Sequence, residues 1–321
     1  PDTKDRLEDI IILEDLSKEE YRLAASKTAI SLEHILLALN SLGRFHACSY
    51  IMKSIDKENF LKKINSIKQT RAWISDTSDI MQEYVTTSGQ RGLKYLKEIP
   101  EYTDKLENVR HFLDNISESL PKLFEVNDRT SVLCHGDFCR NNMFFKYGNS
   151  SCGNASQMDS KESSSNEIPA RVKLFDLATP VYGSPVLDIA FFLYLNTSQE
   201  QRVQHWDNMI ETYYDSLKRT CNSYEENLEH SRDSKANSGN PITIFVPTYE
   251  EIQAEFKVKA MMGYLTCSYF LPMMMQENAK VVDYTQMPRD ELIAYVSSFG
   301  GEEAKKAVGE ILRHVVDRGF M

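Results

Sequence analysis

The sequence predicts an α+β fold that is rich in helix and poor in strand. Two observations predict the strands. Val132–Cys134 and Met143–Phe145 are short β-favouring runs on either side of a polar loop, and Val172–Asp176 is an apolar run that ends in a lone carboxylate. A third observation predicts the helices, because apolar residues recur at helical spacing along much of the remaining chain. We therefore expect a helical body built around a few short strands.

Length and charge limit the classes of function. The chain has 321 residues, enough for one large domain or two, and its content of 41% hydrophobic and 26% charged residues is ordinary for a globular protein. The net charge of −10 argues against a broad surface for nucleic acid or anionic lipid. The longest apolar stretches, Ile189–Leu195 and Tyr264–Met275, are too short to cross a bilayer. We expect neither a nucleic-acid partner nor a membrane partner.

The cysteines indicate a reducing compartment. The six cysteines form no CxxC pair and have no metal-binding spacing, and their density is too low for a disulfide-based fold. We therefore expect free thiols and a cytoplasmic protein.

The first predicted element is the aliphatic run Ile10–Leu13, which indicates a buried strand. The acidic segment Glu14–Leu16 follows it, a pattern that is also typical of a plain edge strand capped by acids. Ser17-x-x-Glu20 has the pattern of a capping box and predicts that a helix begins there.

A longer helix is predicted from about Leu32 to Met52, where apolar residues recur every three or four positions. His46 lies in this helix. Two interpretations are open for it, a ligand or base on one side and a packed, hydrogen-bonded core histidine on the other, and the second is the commoner outcome for a lone histidine.

The rest of the chain is also predominantly helical by pattern. Residues 53–130 are predicted to be helix-rich, with breaks near Ser75–Ser78 and at Pro100. The remaining predicted helices are Tyr102–Phe124, Pro185–Asn196, Gln199–Lys218, Thr248–Met275, which is interrupted or ended near Pro272, and Glu302–Phe320.

Two polar segments interrupt this pattern, at about residues 147–169 and 221–241. Both are poor in large apolar side chains, so burial cannot order them. We expect flexible surface insertions, the first of them inside a β-hairpin connection. A lid regulated by serine phosphorylation is the alternative for the first segment.

The residues with chemical potential cluster in the loop between the first two site strands. His135, Gly136 and Asp137 are followed in the same loop by Asn142, and Asp176 ends the later apolar run. Phosphoryl transfer needs a carboxylate that orients the attacking hydroxyl and accepts its proton, and it needs oxygen ligands for Mg²⁺. In this interpretation Asp137 is the base, and Asn142 and Asp176 bind the metal ion.

Other residues would support this loop. Gly136 removes a side chain where the chain turns sharply, and His135 would hold the loop by hydrogen bonds. Arg140 lies in the same loop and is grouped with His135 and Asp137 as a catalytic candidate. Asp188 is a charge on an otherwise apolar helix, so it needs buried partners unless it is an exposed acid at the helix N-terminus.

Six segments, in this order, resemble one family. That family is the insect ecdysteroid kinase-like family, also called CHK-kinase-like, a relative of the aminoglycoside and choline phosphotransferases that share the protein-kinase fold. The segments are Ile11–Leu16 (IILEDL), Leu42–Ala47 (LGRFHA), Leu133–Phe145 (LCHGDFCRNNMFF), Val172–Leu177 (VKLFDL), Ser184–Leu193 (SPVLDIAFFL) and Leu312–Phe320 (LRHVVDRGF).

The resemblance implies roles that spacing alone does not give. It implies that Ile10–Leu16 is the strand and hinge between two lobes, with backbone groups of Glu14 and Leu16 meeting the adenine of ATP. It implies that Asp188 anchors the catalytic loop by accepting hydrogen bonds from the backbone of His135–Asp137. It also implies ATP and Mg²⁺ as cofactors and a small-molecule alcohol as acceptor, for example an ecdysteroid-like one.

The family also needs a glycine-rich phosphate cover, a strand lysine and a helix glutamate, and it places them before the hinge. Only Pro1–Ile10 precede Ile11 here. We therefore expect residues 1–16 to be a remnant of the N-terminal lobe with the hinge strand, and residues 17–321 to be the C-terminal kinase-like lobe, inactive by itself. Cys139 replaces a usual aromatic residue, and Leu177-Ala178 replaces a usual Phe-Gln pair.

Two other functions stay open at this stage. A non-catalytic, nucleotide- or ligand-binding pseudokinase would suit the absent lysine and glycine-rich loop. A metal hydrolase using His135, Asp137 and Asp176 is the weaker alternative, because the clustered histidine ligands that transition metals favour are missing.

Overall fold

Helices make up most of the molecule, which confirms the predicted helix-rich α+β class. The computed structural model describes residues 12–67, 79–148, 168–233, 242–276 and 287–321. The helices in these ranges are α1 Leu32–Ser66, α2 Asp79–Lys97, α3 Glu107–Asp114, α4 Ile116–Leu123, α5 Val186–Asn196, α6 Gln199–Asp233, α7 Tyr249–Met275, α8 Arg289–Ser298 and α9 Gly301–Asp317. The strands are β1 Val132–Cys134, β2 Met143–Tyr147, β3 Pro169–Leu174 and β4 Val181–Gly183.

The strands form two small antiparallel sheets that bring the predicted site segments together. β1 pairs with β4, and β2 pairs with β3 with Met143 opposite Leu174. This register places the residue before β2 next to the residue after β3, because antiparallel neighbours run in opposite directions. The predicted strand–loop–strand and the hairpin connection are confirmed, while residues 149–167 of the polar insertion lie outside the described ranges.

The core is organised around α5, in which every residue is buried. Its apolar sequence predicts this outcome, because a helix that is hydrophobic on all faces must be covered on all faces. α7 packs directly against it: a Cβ atom added at Gly263 would lie 2.7–2.9 Å from atoms of Ala190. α1 and α6 pack on each other at the next layer. No helix in the described ranges is both long enough and apolar enough to span a bilayer.

The start of the described chain differs from the prediction. Ile12 and Leu13 are 90% and 76% exposed and belong to no strand, so their part of the predicted buried strand is wrong. The prediction that Ser17 begins a capping box is wrong as well. Asp15 caps a short 3₁₀ helix, Leu16–Glu19, by accepting hydrogen bonds from the backbone N–H and the hydroxyl of Ser17. The serine therefore donates to Asp15 and is not free to cap a helix of its own.

Several helices have other limits than their patterns predict. α1 continues past Met52 to Ser66, with a non-helical backbone at Asp56. The predicted helix Tyr102–Phe124 is divided into α3 and α4 at Asn115, although the break at Pro100 is confirmed. The break near Ser75–Ser78 falls outside the described residues.

The prediction of a second polar insertion, at about residues 221–241, is wrong over much of its length. Residues 221–233 continue α6 instead of forming a surface loop. Cys221 is fully buried in this helix, and the Glu and Asn residues that follow it up to His230 lie on mostly exposed helical turns. α7 is confirmed, with Thr248 and Glu251 forming its capping box, but Pro272 lies inside it and does not end it.

Candidate active site

The loop that carries Asp137 passes very close to the segment before β4. Gly136 follows β1 with φ +89°, in the left-handed region that favours glycine. A Cβ atom at this position would lie 1.6 Å from the backbone oxygen of Thr179. The absence of a side chain is therefore what allows the loop to adopt this path.

Replacing Gly136 by alanine should destabilise the fold by more than about 2 kcal/mol, because the methyl group meets backbone atoms and the positive φ is strained. Gly301→Ala is the matched control. Gly301 also has a positive φ, but an added Cβ meets nothing within 4 Å, so we expect a loss of about 1 kcal/mol. Urea unfolding measures both variants. Equal losses would show that the close approach to Thr179 costs nothing.

The carboxylate of Asp188 binds the backbone of the same loop. Its Oδ2 accepts a hydrogen bond from the N–H of His135 at 2.7 Å, and its Oδ1 accepts one from the N–H of Gly136 at 2.9 Å. Asp188 has no exposed surface, so it is a buried acceptor and not an exposed acid at its helix N-terminus. Burial by itself raises the pKa of this carboxyl, but the hydrogen bond from His46 and the donors from the loop hold it below its ordinary value.

His135 joins the loop that carries Asp137 to the end of β3. Its Nε2 lies 3.0 Å from the carbonyl oxygen of Phe175, and its Nδ1 accepts a hydrogen bond from the N–H of Asp137 at 3.4 Å. A ring whose Nδ1 accepts must carry its proton on Nε2, which therefore donates to Phe175. Because the side chain is buried, it holds the loop in place and does not face an open cleft.

Asn142 forms a second link between the loop that carries Asp137 and the end of β3. Its Nδ2 donates to Oδ2 of Asp137 at 2.8 Å and to the backbone oxygen of Asp137 at 2.9 Å. The N–H of Phe175 donates to the backbone oxygen of Asn142 at 3.1 Å. Among the described residues, none donates to the side-chain amide oxygen of Asn142. This oxygen therefore keeps its capacity for another ligand.

Asp176 follows Phe175 directly and carries an exposed side chain. Its φ of +63° is uncommon for a residue other than glycine, although aspartate tolerates it better than most. The backbone of Phe175 forms hydrogen bonds with both His135 and Asn142. Asp176 is the next residue in the chain, so its backbone lies beside these two residues. The structure thus brings Asp137, Asn142 and Asp176 into one region.

Arg140 makes its contacts within the protein. Its Nε donates to the carbonyl oxygen of Ala24 at 3.0 Å, its Nη2 contacts the same oxygen, and its Nη1 donates to Oδ1 of Asn141 at 2.9 Å. These hydrogen bonds tie the loop to the chain segment before α1, so the guanidinium is engaged in holding two segments together.

Glu14 and Leu16 lie close to the β2–β3 sheet. Lys173 of β3 places its Nζ 3.4 Å from Oε2 of Glu14 in an exposed ion pair. The carbonyl oxygen of Leu16 accepts a hydrogen bond from the N–H of Tyr21 at 3.2 Å. The predicted hinge segment is therefore placed beside the strand that leads to Asp176, with one of its backbone acceptors already in use.

A cleft of about 120 Å³ opens beside Asp137. Its walls come from the segment before β4 and from two helices, α5 and α7. The lining residues are Gly136, Asp137, Thr179, Leu187, Phe191, Met262, Thr266 and Phe270. Asp137 is the one ionisable side chain in this set, and the other side chains are apolar or carry a hydroxyl. The cleft therefore combines a single carboxylate with largely apolar walls.

The comparison with known families gives one match. The model of the ecdysteroid kinase-like family matches residues 2–226, which is more than half of the chain and includes all the predicted site residues. The chain belongs to the ecdysteroid kinase-like family. Membership confirms the predicted family and indicates a small-molecule phosphotransferase of the protein-kinase-like fold. No curated protein matches the chain.

Within this ecdysteroid kinase-like chain, the departures from the family pattern leave Asp137, Asn142 and Asp176 unchanged. Cys139 is buried, and burial raises the pKa of its thiol to about 12, so it packs as a neutral group. Leu177 is 56% exposed directly after Asp176.

Sequence patterns do not single out Thr179, Phe191 and Thr266 as residues of a cleft. A weak signal exists for two of them. Phe191 lies one helical turn after Leu187, and Thr266 lies one turn after Met262, but both patterns are equally typical of a core. Met262 is a core residue, with 2% of its surface exposed, and it also lines the cleft.

Proposed function

We propose that this protein transfers the γ-phosphoryl group of ATP to a hydroxyl of a small molecule. The observation that carries the proposal is the convergence of Asp137, Asn142 and Asp176, joined through the backbone of Phe175. A carboxylate beside an amide and a second carboxylate is the oxygen-rich set that phosphoryl transfer requires.

We assign Asp137 as the general base in this proposal. Asn142 donates to one of its carboxylate oxygens at 2.8 Å, which orients the group while it faces the cleft. As the acceptor hydroxyl oxygen bonds to the γ-phosphorus and ADP leaves, Asp137 accepts the hydroxyl proton. Asp188 and His135 accept the backbone N–H groups of residues 135–137 that lead into the base, so its place does not depend on solvent.

The donor set fits Mg²⁺. The amide oxygen of Asn142, which receives no hydrogen bond from the described residues, and the exposed carboxylate of Asp176 are the hard oxygen ligands that this ion prefers. When bound, Mg²⁺ neutralises the negative charge of the phosphates. Both residues are proposed as its protein ligands, and the same pair would bind the phosphate end of ATP.

The adenine end would lie along the segment with Glu14 and Leu16. Arg22 and Phe145 exchange two backbone hydrogen bonds, at 2.9 and 2.7 Å, which fasten the chain that follows this segment to β2. The same strand follows Asn142, so a single extended ligand could reach from the segment to the metal ligands.

The chemistry of the cleft favours a neutral and mainly apolar acceptor. Its aromatic and aliphatic walls offer no carboxylate besides Asp137, so a polycationic acceptor would lack partners there. An ecdysteroid-like alcohol would present matching apolar surface to these walls, with only its reacting end inside the cleft of about 120 Å³. We also propose the cytoplasm as the place of the reaction, because the few cysteines of the sequence have no disulfide-framework spacing.

Asp176→Asn should weaken ATP binding about tenfold or more in the presence of Mg²⁺, because a neutral amide is a poorer metal ligand. Binding in the presence of EDTA should change little. Titration calorimetry on the full-length protein measures both affinities. Asp114→Asn, an exposed acid on α3, is the control and should bind like the wild type. Unchanged Mg²⁺-dependent affinity in the Asp176 variant would remove this residue from the metal site.

The transfer itself is tested by incubating the full-length protein with Mg²⁺, ATP and a set of apolar alcohols. Phosphate ester detected by ³¹P NMR supports the proposal. Tight nucleotide binding with no phosphate ester from any alcohol would support the pseudokinase alternative instead.

A further inference from the structure

A buried chain of hydrogen bonds leads from α6 to the loop that carries Asp137. The hydroxyl of Tyr213 lies 2.9 Å from Nδ1 of His46, and Nε2 of His46 lies 3.1 Å from Oδ2 of Asp188. Asp188 then accepts the backbone N–H groups of His135 and Gly136. Tyr213, His46 and Asp188 each have 0% exposed surface. Water therefore cannot replace any partner in this chain.

The inventory of donors and acceptors sets the direction of each bond. The Asp188 carboxylate can only accept, so Nε2 of His46 carries the proton. In the described part of the chain, the Tyr213 hydroxyl has no hydrogen-bond partner other than His46, so its proton must point to Nδ1 or remain unsatisfied at full burial. The tyrosine thus donates to the histidine, and the histidine donates to the aspartate.

A metal ion is a poor alternative for this cluster. His46, Cys134 and Asp188 place three ligand-type atoms within 4.8 Å of one another. The Asp188 carboxylate already accepts three hydrogen bonds, however, and Sγ of Cys134 lies 3.3 Å from the carbonyl oxygen of Ser184. A thiol that faces a carbonyl is a donor and not a thiolate, so the cluster lacks the anionic sulfur that a metal site needs.

We propose that His46 and Tyr213 are positioning residues for phosphoryl transfer, which act through Asp188 on the loop that presents Asp137. This inference rests on the proposed function. Asp188 must hold one backbone N–H on each of its equivalent oxygens, and this requires one rotation of the carboxylate plane. The hydrogen bond from His46 to Oδ2 fixes that rotation. Because His46 lies on α1 and Tyr213 on α6, these hydrogen bonds fix the position of the loop relative to the two packed helices.

Two substitutions at His46 separate the two sides of the ring. His46→Gln can place an amide N–H near the position of Nε2 and keep a donor to Asp188. His46→Asn keeps a polar group near Nδ1 but is too short to reach Asp188. Tyr213→Phe removes only the hydroxyl and retains the ring in the core. Circular dichroism on all three variants of the full-length protein establishes that they fold.

The first measurement is the hydrogen-exchange rate of the His135 and Gly136 amides, read by ¹H–¹⁵N NMR. We expect the rates to rise about tenfold in His46→Asn, about threefold in Tyr213→Phe, and less than about threefold in His46→Gln. This readout needs no turnover, so it tests the positioning role even if the protein transfers no phosphate.

The second measurement is steady-state kinetics with ATP. We expect kcat to fall about tenfold or more in His46→Asn, with KM for ATP changed less than about threefold, and we expect His46→Gln to restore most of kcat. Equal behaviour of the Asn and Gln variants in both measurements would overturn the inference and leave His46 as a packing residue. Absent turnover in the wild type would count against the proposed function alone.

Discussion

Asp137→Asn should reduce phosphoryl transfer by a factor of about 10²–10⁴ or more, the usual contribution of a positioned general base. The substitution keeps the size and shape of the side chain but removes its ability to accept the hydroxyl proton. Asn142 and Asp176 are untouched, so ATP and Mg²⁺ should still bind. The measurement is kcat of the full-length variant beside its calorimetric affinity for ATP.

Asp104→Asn is the control for this experiment, because Asp104 is exposed in the connection before α3. It should match the wild type in both quantities. Turnover that survives in the Asp137 variant would show that another group accepts the proton, and the assignment of the base would then be wrong.

Asp188→Ala should lower the free energy of unfolding by about 3–5 kcal/mol, the loss typical of removing one partner from a buried charged network. The substitution leaves the N–H groups of His135 and Gly136 and the ring of His46 buried without their acceptor. Urea unfolding at neutral pH measures the loss. Asp215→Ala, at an exposed position of α6, should change stability by less than about 0.5 kcal/mol.

The pH dependence of this loss has a definite sign. The folded pKa of Asp188 is lowered, so its stabilising contribution is complete above the unfolded value of about 3.9 and is lost as the pH falls through the folded pKa. The difference in stability between the wild type and Asp188→Ala should therefore be constant near neutrality and shrink only in strong acid. A difference that already shrinks near neutral pH would contradict a charged Asp188.

The features that the sequence predicts well are those set by local spacing. His135, Gly136, Asp137 and Asn142 lie within one loop, so their proximity follows from the strand–loop–strand pattern. The all-apolar helix α5 predicts its own burial, and a lone acid on it predicts a need for buried donors. The place of Asp188 follows from these two facts together with the family resemblance.

The features that the sequence does not predict depend on contacts between distant segments. The hydrogen bond between His46 and Asp188 joins residues 142 positions apart, and no local pattern encodes it. The walls of the cleft come from α5 and α7, whose apolar residues are equally typical of a core. Residues 221–233 have a polar composition that suits either a loop or an exposed helix, and the buried Cys221 decides for the helix.

The most direct test of the central claim is a crystal structure of the full-length protein with Mn²⁺ and a non-hydrolysable ATP analogue. Anomalous scattering locates the metal ion independently of the protein atoms. We predict a peak about 2.0–2.3 Å from the amide oxygen of Asn142 and from a carboxylate oxygen of Asp176, with the γ-phosphate facing Asp137. A nucleotide-bound metal ion that contacts neither Asn142 nor Asp176 would contradict the account.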